Sequence, residues 1–348
     1  MAGTISDEKS SHSSAQGDGS TTSVSLTISP VVPAYNASGT LRRCLAALFE
    51  AGFSPDSIIL VDDASTDGTG DVAREMGVEP IVLEKNGGAA VARNTGARES
   101  DADILFFVDA DVVLHTGAKE KIAKFFRGYP DYAAVFGAYD NAPPEGGIVS
   151  RFRNLLHTHV HEQNAGDAST FWTGCGAVRK TAFETAGGFN PAQKWVMIED
   201  VVLGVAIARN GGRIRLEPEI RCTHLKAWTL ASMCKTDMFH RAMPWARLLK
   251  TDAGKASAKT LNVSRAGQLS GLTVGMSLLS LPLLALSAPA GGALLIASIG
   301  ALAWANRRFL SKINQVRGFG EAFAAVPLLW LHYLSAVLGY ALVKLRLA

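Results

Sequence analysis

The sequence predicts an α/β fold, a mostly parallel sheet with helices on both faces, followed by membrane helices. Three observations predict it. From Val24 to about Gly137, short β runs alternate with helical stretches, the order of a sheet wound through crossover helices. Those runs are nearly uniformly apolar, as strands are when both sheet faces are covered. The chain of 348 residues is 48% hydrophobic with a mean hydropathy of +0.15, and the excess gathers after about residue 266.

The elements follow in order. "SLTISPVV" predicts the first strand. "SGTLRRCLAALFEAGF" predicts a helix with Leu41, Cys44, Leu45, Leu48 and Phe49 on one face, so Cys44 reads as core. "SIILV", "PIVLE" and "ILFFV" are further strands, separated by the helical stretches "TGDVAREMG" and "GAAVARNTGARES". An amphipathic helix, "GAKEKIAKFFRGY", and another β run, "YAAVFG", complete this half. Residues 139–220 are less regular, but "EDVVLGVAIARNG" predicts a helix that stops at Gly211 and Gly212.

Composition sets the boundaries. Residues 1–23 are rich in Ser, Gly and Thr, lack the apolar core of a signal peptide, and read as a disordered tail. The α/β domain spans 24–239 in two halves, 24–137 and 138–239. Residues 240–265 are basic, with Arg241, Arg247, Lys250, Lys255, Lys259 and Arg265 beside Trp245, a segment suited to a membrane surface. Residues 266–348 form a membrane domain with apolar stretches at about 269–287, 289–305 and 322–343. The first and third reach the roughly 20 residues a bilayer needs. The second is short and glycine-rich, so the domain has two or three spans. Arg307, Arg308, Lys312 and Arg317 lie between the second and third stretches. By the positive-inside rule they and the basic segment put the α/β domain in the cytoplasm, at the inner membrane. Three spans would leave Lys344 and Arg346 outside, against that rule. A net charge of +3 gives no reason to expect a nucleic-acid partner. Four cysteines, far apart and without a CxxC pair, fit a reduced chain.

In an open α/β sheet, ligands bind beyond the carboxyl ends of the strands. There stand Pro33, Ala34, Tyr35 and Asn36 after the first strand, and Asp62, Asp63, Ser65 and Asp67 after "SIILV". Asp109 and Asp111 follow "ILFFV". Each group alone could be a turn or a helix cap. Together they bring five carboxylates to one rim, where a cation or hydrogen bonds must offset their repulsion. Mg²⁺ or Mn²⁺, which favour oxygen ligands and substrate phosphates, would suit a diphosphate there. A second Asp-Ala-Asp, Asp101–Asp103, precedes its strand at the opposite edge and reads as a solvated turn. Arg93 is either a solvated helix arginine or a bidentate partner for these anions. Trp172 suits stacking on an acceptor and equally suits core packing, with Gly174 and Gly176 beside it permitting close backbone approach. His157, His159 and His161 would share a face, and could hold zinc, only on a strand.

"VVPAYN", "LVDDASTDGTGDVA", "NGGAAVARNTGA", "FFVDADVV" and "IEDVVLG" resemble, in order and spacing, the motifs of family 2 glycosyltransferases of the GT-A fold. The resemblance covers roughly Val24 to His224. It implies that a nucleotide sits against Pro33, Tyr35, Asp62 and Asp63 in the first half, with Arg93 on its phosphate side. It makes Asp109 and Asp111 the metal and ribose contacts, His224 either a further metal ligand or a structural histidine, and the second half the acceptor side. Asp200, with Glu199 beside it, becomes the base that deprotonates an acceptor hydroxyl. At a helix amino-terminus Asp200 would be kept ionised, and so weakly basic, by the macrodipole.

Departures from the pattern narrow the expectation. "FHRAMPW" lacks the glutamine of the processive Gln-x-x-Arg-Trp motif, which favours single-sugar transfer. "DADVVLH" departs from the Asp-Ala-Asp-Leu-Gln of polyprenyl-phosphate enzymes, which favours a hydroxyl acceptor. The implied function is a metal-dependent inverting glycosyltransferase taking a nucleotide-diphosphate sugar and serving a lipid or lipid-linked glycan. A polyprenyl-phosphate glycosyltransferase and a non-catalytic nucleotide-sugar-binding scaffold are the alternatives. A nucleotidyltransferase would need a glycine-rich opening that "VVPAYNASGT" lacks.

Overall fold

The computed structural model describes residues 26–141, 146–191, 198–251 and 265–345. The expected amino-terminal tail, and Asp252, Lys255 and Lys259 of the basic segment, lie outside them.

One nine-stranded sheet forms the centre of the described residues. Its first half is parallel: β1 (Ile28–Ala34) lies between β2 (Ile59–Asp62) and β4 (Ile104–Val108), and β3 (Ile81–Val82) pairs outside β2. The second half is mixed. β8 (Cys175–Arg179) runs antiparallel to β4 and to β6 (Tyr132–Tyr139). β9 (Arg213–His224) runs parallel to β6 but antiparallel to β5 (Val112–Leu114) and β7 (Gly166–Ala168).

Chain order reverses at β1, which has β2 on one side and β4 on the other, so the crevice opens at the carboxyl ends of β1 and β4. Helices cover both faces: α1 (Ser38–Glu50), α2 (Thr69–Glu75), α3 (Ala89–Glu99), α4 (Ala118–Gly128), α5 (Ile148–Gln163), α6 (Lys180–Thr185) and α7 (Glu199–Arg209). The alternation of strands divides the core. Val32 and Phe106 face α1 and α4, against Leu45, Leu48, Ile122 and Phe126. Val31, Leu105 and Phe107 face the other way, against Phe183, Phe189, Leu203 and Ile207. Gly96 lets α3 close on β1, since a Cβ there would stand 2.5 Å from Val31 Cγ1. That contact holds Arg93, a turn earlier on α3, over the crevice.

After β9 come α8 (Leu230–Lys235), a π-helical turn (Thr236–Ala242) and α9 (Met243–Leu248). Then follow α10 (Arg265–Leu286), α11 (Ala288–Ala305), α12 (Arg307–Arg317) and α13 (Phe319–Lys344). α10, α11 and α13 are each long and apolar enough to cross a membrane. α12 is amphipathic. It buries Phe309 and Ile313 with Phe152, Leu155 and Leu156 of α5 and Leu328 and Leu329 of α13.

Candidate active site

A cleft of about 620 Å³ opens at the crevice. From the first half Pro33, Tyr35, Asp63, Arg93, Asp109 and Asp111 line it, and Trp172, Glu199, Asp200 and His224 line it from the second. The sequence-predicted groups therefore converge, with two exceptions. Asp62 turns away: its Oδ1 accepts the Ser65 N–H at 2.9 Å, and its Oδ2 lies beneath α2 near Gly70. It shapes the turn that Asp63 stands on and is not among the residues lining the cleft. Gly174 is not on the cleft wall. A Cβ there would come within 2.3 Å of the Trp172 ring, so Gly174 makes room for that ring.

The rim loops are locked to one another. Asn36 (φ 48) and Ala64 (φ 61) both adopt left-handed backbone, a conformation that costs Ala about 1 kcal/mol or more. The Asn36 N–H donates to Ser65 Oγ and its side-chain oxygen accepts from Thr66 N–H, both at 2.9 Å. The carboxylate of Asp63 accepts the N–H groups of Gly87 and Gly88 at 2.7 and 2.8 Å. Two strand ends and the glycine loop before α3 thus form one rigid wall.

Arg93 is the central cation. It is 5% exposed, not the solvated arginine that its helical position also allowed. Its Nη2 donates to Asp109 Oδ1 at 2.7 Å and its Nη1 to Glu199 Oε1 at 2.8 Å. Burial works against its charge, but Asp109 and Glu199 outweigh it and hold the guanidinium well above its usual range. The bidentate bridge joins the two halves across the cleft.

Asp111 stands beside His224, with Oδ2 and Nε2 3.3 Å apart. Burial opposes ionisation of Asp111, but the His224 ring and Lys226 prevail and hold it below the ordinary carboxylate range. The pairing arises because β5 and β9 are antiparallel, with Val112 in register with His224. Among the described residues no three His, Cys, Asp or Glu side chains are clustered to hold a metal. The chemistry of the pair nevertheless fits Mg²⁺ or Mn²⁺, which take few protein ligands and complete their shell from substrate phosphates. Asp109 fits that role less well than expected, because Arg93 already occupies one of its oxygens.

Asp200 opens α7 on the opposite wall, where its own carboxylate accepts the Val201 N–H. Here the expectation from the helix dipole fails. Burial, then the neighbouring Glu199 charge, pushes the Asp200 carboxyl up to about 7, against the pull of Arg93 and the Val201 N–H. Desolvation outweighs the dipole at this position on the cleft wall.

α5 carries the three histidines, so they do not share one face. His157 lines the cleft and His161 packs near it on Trp172, whereas His159 points away to Phe309. Burial and the charge of Arg241 hold His157 well below its usual value and His161 down to about 4, so both are neutral and no zinc set exists here. Neutral His157 accepts from Arg241 Nη1 through Nε2 at 2.8 Å.

Sequence reasoning missed the floor and the basic end of the cleft. Tyr139, the last residue of β6, stacks on His224 at 4.8 Å and meets the Trp172 edge at 4.6 Å. Lys226 lies over the Trp228 ring at 4.5 Å, and both line the cleft with Arg241. The lone signal for Arg241 was the residue of a broken Gln-x-x-Arg-Trp string. Nothing in the sequence marks Tyr139.

A sheet reversed at β1, with acidic groups at two strand ends and a carboxylate across the crevice, has the arrangement of a GT-A fold. Residues 29–187 match the profile of glycosyl transferase family 2. Glycosyltransferase GlyA of Streptococcus pneumoniae is 30% identical over 123 residues, 34% of this chain and 18% of that protein. Glycosyltransferase AglE of Haloferax volcanii is 32% identical over 143 residues, 39% of this chain and 47% of that protein. The chain thus matches less than half of either relative's length. The O-antigen chain rhamnosyltransferase RfbN of Salmonella typhimurium is 23% identical over 249 residues, 67% of this chain and 78% of that protein. A mannosyltransferase from Pyrobaculum calidifontis, solved with GDP-Man and Mn²⁺, shares the fold. Its TM-score is 0.55 at 17% identity, over 92% of this chain and 88% of that one.

Proposed function

We propose that the chain is a membrane-anchored, metal-dependent inverting glycosyltransferase. It moves a single sugar from a nucleotide-diphosphate sugar to a hydroxyl of a membrane lipid or lipid-linked glycan, at the cytoplasmic face of the inner membrane. The observation that carries this reading is Asp200. A carboxylate raised to about 7 lines the same cleft as the Asp111–His224 pair, and a base near the working pH is what activation of a hydroxyl requires.

In this reading the nucleotide lies along Pro33, Tyr35 and the wall braced by Asp63. Mg²⁺ or Mn²⁺ held by Asp111 and His224, with Asp109 nearby, would neutralise the charge growing on the departing diphosphate. Asp200 takes the acceptor proton as the acceptor oxygen bonds the anomeric carbon and the sugar–phosphate bond breaks. Arg93 Nη1 ties down Glu199 Oε1 at 2.8 Å, which leaves Asp200 as the carboxylate positioned to take the proton. Trp172 and Tyr139 offer apolar faces to the acceptor. The relative named as an O-antigen chain rhamnosyltransferase supports a glycan-building role.

Lys226 and Arg241 favour a second reading. Two cations at the acceptor end suit a phosphate, and in a polyprenyl-phosphate glycosyltransferase that phosphate is itself the nucleophile. Asp200→Asn separates the two. In purified membranes given a panel of nucleotide-sugars with Mn²⁺ or Mg²⁺, the hydroxyl reading expects lipid product from the wild type and almost none from the variant. Undiminished product from Asp200→Asn would establish the phosphate acceptor. Donor binding without product from the wild type would leave a scaffold.

A further inference from the structure

A second cavity, about 720 Å³, lies between α5 and α12 on the side of α5 away from the active site. Arg307, Arg308, Lys312 and His159 line it, with Glu162 as its carboxylate. Glu162 is already engaged. It accepts from Lys312 Nζ at 2.5 Å and lies 3.7 Å from Arg221 Nη1. Arg308 has no carboxylate partner among the described residues. The buried side-chain oxygen of Asn141, also on the cavity wall, has no hydrogen-bond partner among the described residues. The groove therefore holds three full cations against one carboxylate, and a polar atom that lacks a contact.

Its level in the molecule is set by the chain. α11, a candidate membrane span, ends at Ala305, and α12 begins at Arg307. Trp304, 61% exposed, stands at that junction with the Arg307 guanidinium 4.6 Å over its ring, the pairing found where lipid tails give way to headgroups. We propose that this groove is a binding site for the phosphate headgroup of an anionic membrane lipid. The occupant is a lipid and not free phosphate, because the cationic wall continues directly into an apolar helix.

The test is lipid retention by the full chain in mild detergent, read by native mass spectrometry with phosphatidylglycerol and phosphatidylcholine. The wild type should retain phosphatidylglycerol at a several-fold lower lipid concentration. Arg308→Gln, and more fully Arg307→Gln with Arg308→Gln, should weaken that retention about tenfold, the effect of losing one charge-assisted hydrogen bond. Nucleotide binding in the same samples, unchanged, shows that the domain is folded. Equal retention of the two lipids by the wild type, or variants that retain phosphatidylglycerol normally, would overturn the site. Displacement by millimolar inorganic phosphate would make it a free-phosphate site and overturn the lipid assignment.

The packing of α13 carries a second inference independently. Its first turn is fixed by the Arg151–Glu321 pair at 2.8 Å. At its middle, His332 Nδ1 meets Asp237 at 2.8 Å, and Asp237 pairs with the fully buried Arg153 at 2.5 Å. Near its end Gly339 abuts the Met238 carbonyl, and Lys250 Nζ donates to the Val343 carbonyl at 2.6 Å. α13 thus lies from end to end against the α/β domain and the basic segment that follows it. Set upright in a bilayer, it would carry Arg153, Asp237 and the cleft residue Arg241 into hydrocarbon, a prohibitive cost. We infer that α13 lies along the membrane surface and that its end stays on the side of the catalytic domain. Lys344 then obeys the positive-inside rule. Labelling of Lys344→Cys in sealed vesicles with a membrane-impermeant maleimide, in a Cys234→Ser background, tests this. It should be accessible from the same side as Asp71→Cys on the catalytic domain. Labelling from opposite sides would show that α13 crosses.

Discussion

Three charged residues carry the proposed chemistry. Asp200→Asn should lower kcat roughly 10²- to 10⁴-fold, the usual yield of a positioned base, while calorimetry finds nucleotide affinity unchanged. As the base must be ionised, kcat/KM should rise with pH through about 7. An inflection near 4 would refute the burial argument. The same shift has a stability sign. A carboxyl with a raised folded-state value binds more protons folded than unfolded, so stability falls as pH rises from the unfolded value to about 7. Asp200→Asn should therefore raise the melting temperature above pH 7 and leave it unchanged below the unfolded carboxyl range. Arg93→Ala should be the opposite kind of change. It strands Asp109 and Glu199 without their partner and should cost about 3–5 kcal/mol in denaturant unfolding. Asp111→Ala should abolish turnover at every Mn²⁺ concentration.

Strand direction separates the two Asp-Ala-Asp copies. Asp103 precedes β4 and accepts from the N–H and hydroxyl of Thr27 at 2.9 and 2.8 Å, so it pins the start of β1 instead of merely being solvated. Asp103→Ala should cost about 1–2 kcal/mol in unfolding free energy, Asp101→Ala nothing, and neither should alter metal dependence. The parallel half of the sheet was legible because each of its strands and helices is short, local and strongly patterned. So was the helix that begins at Glu199, with its glycine stop. The antiparallel neighbours of β4 were not, since β8 meets it only through a pairing some 70 residues distant in sequence. The site followed the same divide. Residues at parallel strand ends announced themselves by position. The Arg93 bridge, the Asp111–His224 register and the Tyr139 floor depend on contacts between distant strands, and local pattern does not record those. The helix-dipole reading of Asp200 failed for a related reason, because burial is a property of the assembled cleft.

At the scale of the whole molecule, the carboxy-terminal helices pack on the α/β domain. α12 and α13 complete the cluster built on Phe152, Leu155, Trp228 and Met233, all buried in the intact chain. Ending the chain before Arg265 uncovers that apolar surface. The truncated domain should elute as aggregates in size-exclusion chromatography, and a monodisperse, active product would contradict the packing. α5 sits at the junction of these regions. Its 16 residues present His157 to the catalytic cleft and His159 to the cationic groove, two residues apart on one rigid rod. Thermodynamic reciprocity then binds the two sides. Whatever factor a headgroup in the proposed groove applied to the affinity of the proposed acceptor, the acceptor would return to the headgroup, and bilayer composition would then tune the proposed transfer.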